Sequence, residues 1–195
     1  MVDDEELHLL ARVARLAATP PVAAGAKPNA PSIVALAAGA FRTRPTRDAT
    51  VPTGFDPLAA ALFESIVEAA YLVANADGVF DATERRAFEL VIQAACGAVV
   101  GADQVAALVS DLGDQLAEDG VDRRIEALAK AVTREEQARE ILRIGALIAT
   151  ISDAASNAER AALGRIAAQC GLPTGSVDRA LAEAERALAR ARACS

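Results

Sequence analysis

Aromatic side chains are scarce in this chain, with no Trp, one Tyr and five Phe among 195 residues. With so few rings, and with Ala supplying about a quarter of the residues, the core has to be built from small and aliphatic side chains. That composition favours closely packed helices, because Ala is the best helix former and a poor strand former. Histidine occurs once, as His8, which leaves no material for a His-rich metal centre and argues against a Ser-His-Asp triad or a Cys-His dyad. The cysteines, Cys96, Cys170 and Cys194, are far apart and form no Cys-x-x-Cys pair for metal or redox chemistry. They read as reduced thiols, Cys96 and Cys170 as small buried hydrophobes beside Gly97 and Gly171. Uninterrupted apolar runs are short as well. The longest, Ile33 to Phe41 and Ile144 to Ile151, fall well below the ~18–20 residues that cross a bilayer, so no transmembrane segment is expected.

The chain carries 20 Lys and Arg against 27 Asp and Glu, a net charge of −7. The imbalance lies in residues 51–195, with fourteen basic and twenty-two acidic side chains and no basic stripe, which argues against a nucleic-acid partner. The opening Met-Val-Asp-Asp-Glu-Glu is acidic where a secretory signal is basic, so the expected location is the cytoplasm.

Three regions follow from the punctuation. Residues 1–18 read as an N-terminal amphipathic helix with carboxylates at the positive end of its dipole. Residues 19–53 are a Pro- and Ala-rich arm or linker, broken by Pro20, Pro21, Pro28, Pro31, Pro45 and Pro52. Within it, Ser32 to Phe41 is an apolar decapeptide whose Ile33, Val34, Leu36 and Phe41 are too apolar to remain in water. It either docks on its own body or contacts a protein partner, and burial at roughly 1.5–3 kcal/mol per side chain, less ordering entropy, makes a detachable peptide. Removal of residues 1–53 is accordingly expected to leave a folded body. Arg42, Arg44 and Arg47 behind it read as a solvated run with a weak affinity for anionic surfaces.

Residues 54–195 read as an all-α body. The helical period runs over about 56–75, 81–96, 102–118, 121–131, 133–151, 156–170 and 175–193, with Gly78, Gly97, Gly101, Gly120, Gly171 and Pro173 at the breaks. Asp56-Pro57 is an N-cap followed by Pro at the first helical position, and Thr133 to Glu136 and Ser156 to Glu159 have capping-box spacing.

Laying residues 70–88 over 145–163 aligns two units, each an apolar helix, a polar turn and a Glu-Arg helix opening. Asp77, Gly78 and Asp81 face Ser152, Asp153 and Ser156, and Glu84 coincides with Glu159. The pairing reads as a degenerate duplication. Asn75, Asp77, Gly78, Asp81 and Glu84 also fall at EF-hand positions, but Val73 stands where the first Asp ligand is required, which argues against that loop. Asp81 and Glu84 suit either a helix cap or a cation site.

The Ala-Asp77-Gly78 turn with Glu84 behind it, and the later Ser152-Asp153 to Glu159 segment followed by Ile166 to Leu172, resemble the two repeats of the tellurite-resistance TerB family over roughly residues 56–172. The resemblance implies an all-helical bundle of two pseudo-repeats whose turns approach each other. It further implies a divalent-cation site, for which the matching residues here are Asp77, Asp81, Glu84, Asp153 and Glu159. Ser152 and Ser156 replace expected acids, so calcium, magnesium or manganese would be held weakly, roughly at 10⁻⁴–10⁻³ M. The family is tied to stress resistance, defence and membrane-associated assemblies. The expected function is a non-enzymatic adaptor or scaffold that contacts a protein partner through its arm, with a divalent-cation sensor as the alternative. No His base or nucleophile accompanies the acids, which leaves no basis for an enzyme.

Overall fold

The computed structural model describes residues 11–13, 15–18, 32–45, 54–151 and 154–193. Among these residues every regular element is a helix. We number them α1 (helical residues within 11–18), α2 (Ile33–Arg42), α3 (Pro57–Ala74), α4 (Ala82–Ala95), α5 (Ala102–Lys130), α6 (Glu135–Ala149), α7 (Asn157–Gln169) and α8 (Ser176–Ala193). The body helices begin and end within one or two residues of the periodicity. The expected break at Gly120 is a bend inside α5, where Gly120 has φ 75° and ψ 163°. Left-handed backbone of this kind costs Gly nothing and a side-chain-bearing residue much more.

Helix α3 is the hub. Asp56 starts it, accepting the Leu58 and Ala59 N–H groups at 3.0 Å each, and Pro57 stands at its first position. Twelve of its eighteen residues are buried, and it packs against α2, α5, α6 and α7. By length and composition α3 is apolar enough to cross a membrane, although Glu64 and Glu68 keep its apolar text from forming an unbroken run. Its mostly buried surface is what the central helix of a bundle requires.

The Ser32 to Phe41 segment is helical and docked on its own body. Ser32 Oγ caps it by accepting the Ala35 N–H at 3.0 Å, and Val34, Ala37, Ala38 and Phe41 join the same core as α3. The Phe41 and Phe63 rings lie 5.0 Å apart between centroids. A body cut at residue 53 would lose these four core side chains together with Val13 and Ala17, six in all, which weighs against the expectation that it folds unaided. Arg42 and Arg44 are exposed, in keeping with a solvated run, and Arg44 pairs at the surface with Glu64. Val13 and Ala17 of α1 are fully buried, while His8, Arg47 and Cys194 lie outside the described residues. Cys96 is buried, and burial pushes its thiol up to about 11, where it is inert.

The cap of α6 differs in register from the expected Thr133–Glu136 box. Gln137 supplies it, its Oε1 accepting the N–H groups of Thr133 and Arg134 and the Thr133 hydroxyl, so the helix starts at Glu135.

Phe41→Ala in the full chain should cost about 3–5 kcal/mol in urea unfolding, as for other buried Phe truncations. Leu36→Ala, on the exposed side of α2, should stay within about 0.5 kcal/mol.

Candidate functional site

The two polar turns close the helix pairs α3/α4 and α6/α7 in similar ways. After α3, Gly78 turns the chain at φ 83°, and Asp77 Oδ1 accepts the Val79 N–H at 2.9 Å. Asp81 and Glu84 then form a reciprocal capping box. The Glu84 N–H donates to Asp81 Oδ1 at 2.9 Å, and the Asp81 N–H to Glu84 Oε2 at 3.0 Å. At α7, the Glu159 N–H donates to Ser156 Oγ at 3.2 Å and the Ser156 N–H to Glu159 Oε2 at 2.7 Å. Asp81 with Ser156, and Glu84 with Glu159, therefore do the same work, each in its own turn.

Glu84 and Glu159 both line one pocket of about 90 Å³ between the turns. Its walls are apolar: Ala74, Phe80, Ala87 and Phe88 from the first unit, Ile148 of α6 and Ile151 just past its end. Phe80 and Phe88 pack edge to face with each other at 5.8 Å and with Tyr71 at 5.2 and 6.4 Å, which holds the pocket wall in place. Of the five acids expected to converge, the structure brings these two together. Asp77 and Asp81 are engaged with the backbone of their own turn, and Asp153 lies outside the described residues. Among the described residues no three His, Cys, Asp or Glu side chains gather as a metal-binding group.

The four residues expected to touch a partner separate as well. Val34 and Phe41 are buried, Ile33 is half-buried, and Leu36 is 60% exposed.

Two buried ion pairs escaped the sequence reading. Glu68 in α3, almost without exposure, accepts from Arg124 Nε at 2.6 Å, and Arg124 reaches back across the Gly120 bend to Asp119 at 3.1 Å. Burial pushes the Glu68 carboxyl above the usual range despite the guanidinium beside it, and burial likewise raises Glu64 against the pull of Arg44. In α6, Arg143 holds Glu140 through two bonds of 2.7 and 2.8 Å and donates to the Leu16 and Ala17 carbonyls at 2.9 and 2.6 Å, closing the end of α1. Arg143 and Glu183 also stand between two clefts of about 380 and 390 Å³ along α6 and α8. The available signal was Glu64 and Glu68, four residues apart in an otherwise apolar helix. Charges in such a place call for partners from other elements.

Compared with known families, the chain matches the model described as tellurite resistance protein TerB over residues 64–186. No curated protein and no solved structure matches it.

Arg124→Ala should strand Glu68 as a buried carboxylate. The loss should lie near the low end of the ~3–5 kcal/mol typical of broken buried pairs, since Arg124 retains 16% of its side-chain exposure. The pH dependence has a definite sign. With a folded pKa above the unfolded value of 4.5, Glu68 binds protons more readily in the folded state. Its contribution is thus full below pH 4.5 and falls as pH rises through the raised value. Stability measured by urea unfolding from pH 4 upward should therefore fall less steeply in Glu68→Gln than in the unaltered chain.

Proposed function

The chain belongs to the tellurite resistance protein TerB family, whose proteins are non-catalytic scaffolds and generally cytoplasmic, and on that premise we propose that it is an adaptor in a stress-resistance or defence system. The observation that carries this reading is the family match to a helical body over residues 64–186. Helix α2 lies outside the matched region, is anchored on α3 by Val34 and Phe41, and turns Leu36 outward. That arrangement supports a partner contact through the arm at Leu36, with the remaining apolar residues of the segment holding it in position. The shared cap geometry supports reading the α3/α4 and α6/α7 pairs as a degenerate duplication. Membrane-associated assemblies are among the settings in which such an adaptor would act.

Leu36→Asp in the full chain tests the partner contact. A partner that co-purifies with the unaltered chain from its native host should be lost, while melting and helical circular dichroism stay unchanged. Undiminished recovery removes Leu36 from the contact.

A divalent cation, calcium, magnesium or manganese, is the second reading, favoured by the convergence of Glu84 and Glu159 on one pocket. Two carboxylates make a weak site, with affinity roughly at 10⁻⁴–10⁻³ M. At tenfold excess over that value the ion should stabilise the fold by about 1.4 kcal/mol, read as a raised melting temperature. Glu84→Gln with Glu159→Gln should abolish the rise. A melt unmoved by millimolar concentrations of all three ions removes this reading.

A further inference from the structure

We propose that the cleft between the end of α1, α6 and the second half of α8 binds a medium-length aliphatic carboxylate, a fatty acid of about eight to ten carbons. The inference is independent of the partner contact at Leu36, which lies on α2.

Size and walls come first. Of the two clefts that meet at Arg143 and Glu183, this one has a volume of about 380 Å³, inside the ≈300–1,000 Å³ range of small-molecule sites. At the ≈30 Å³ share of one water, it takes about a dozen heavy atoms. Leu147 and Ala184 are buried and form its floor, and Leu16 and Ala187 are half-buried at its sides. Such walls suit a hydrocarbon chain. Arg143 is fixed by Glu140 and by the Leu16 and Ala17 carbonyls, so this side of the cleft needs no rearrangement on binding. Leu16 and Arg190 lie outside residues 64–186, and the family match therefore does not account for the cleft.

Charge selects the head group. Arg186 and Arg190, both exposed, stand one turn apart on α8 at the rim and make no hydrogen bond or ion pair among the described residues. Like charges at this spacing repel each other, and the α8 dipole favours Arg190 in the last turn more than Arg186 a turn earlier. Glu183 offsets one of them and Glu140 holds Arg143, which leaves one positive charge in excess within a chain whose net charge is −7. A single carboxylate balances it, and its two oxygens match a guanidinium fork, whereas a phosphate monoester would bring nearly two charges. The adjoining cleft of about 390 Å³ is the contrast. Three arginines meet three glutamates among its lining residues, so it holds no excess for an anion.

The test uses the full isotope-labelled chain, amide chemical shifts and four probes kept below micelle formation: octanoate, octan-1-ol, octylammonium and acetate. Octanoate should shift the Leu16, Leu147, Ala184, Ala187 and Arg190 signals at millimolar concentration. Octanol, which keeps the chain and lacks the charge, should bind about tenfold more weakly. Octylammonium and acetate should leave these signals unmoved at the same concentration. Arg186→Gln with Arg190→Gln alters two exposed side chains, so the melting temperature should hold while octanoate affinity falls to that of octanol. Ala187→Leu, which fills the side of the cleft, should abolish both. Equal binding of octanoate and octylammonium, shifts confined to Glu136, Ser176 and Arg179 of the adjoining cleft, or undiminished octanoate binding by the double arginine variant would each overturn the proposal. So would binding of Ac-Ala-Leu with a free C-terminus at these signals without binding of octanoate, a result that assigns the cleft to a protein C-terminus instead.

Discussion

Helix α3 has to be covered on nearly every side, and its buried acid, Glu68, has to be answered where it stands. The first demand is met by α2, α5, α6 and α7, which pack around it. The second is more restrictive. Glu68 is buried and needs a guanidinium within hydrogen-bonding distance, because an unpaired carboxylate there would cost several kcal/mol. Arg124 can answer it because α5 bends at Gly120. Glu64, one turn earlier, is answered by Arg44 just past the end of α2. The bend in α5 is thus tied to a buried charge in α3, while α2 is seated by its apolar face with the Arg44–Glu64 pair at its exposed edge.

Most of the helices were legible because Ala-rich amphipathic text, Gly breaks and capping chemistry agree with one another along the body. Asp56, Ser156 and Gly120 act as their residue types suggest. The failures share a cause. Gln137 displaced the expected cap of α6 because its amide oxygen serves three donors at once, a matter of local geometry that spacing does not reveal. The fate of the Ser32 to Phe41 segment depended on a complementary face of α3, and Phe41 meeting Phe63 is a contact between regions that Pro-rich text had separated.

At the candidate site the sequence reading found the acids but not their division of labour. Asp77 and Asp81 complete turns, which any Asp in such a place does well. Glu84 and Glu159 do this with one oxygen and face the pocket between the two units. Spacing alone cannot distinguish these cases, since an N3 Glu is needed for the cap whether or not its second oxygen meets anything. The convergence arises from how α3/α4 and α6/α7 pack together.

Arg143 grips α1 through the carbonyl oxygens of Leu16 and Ala17. Every helix ends in such oxygens, whatever its side chains, so the grip reads the end of a helix and not its spelling. Among the described residues of α1, Val13 and Ala17 face the core and are held to a size, with Leu16 packed beside them. Over evolutionary time this leaves the outer face of the first helix open to rewriting: new surface chemistry can be introduced at the front of the chain without renegotiating the joint that holds it.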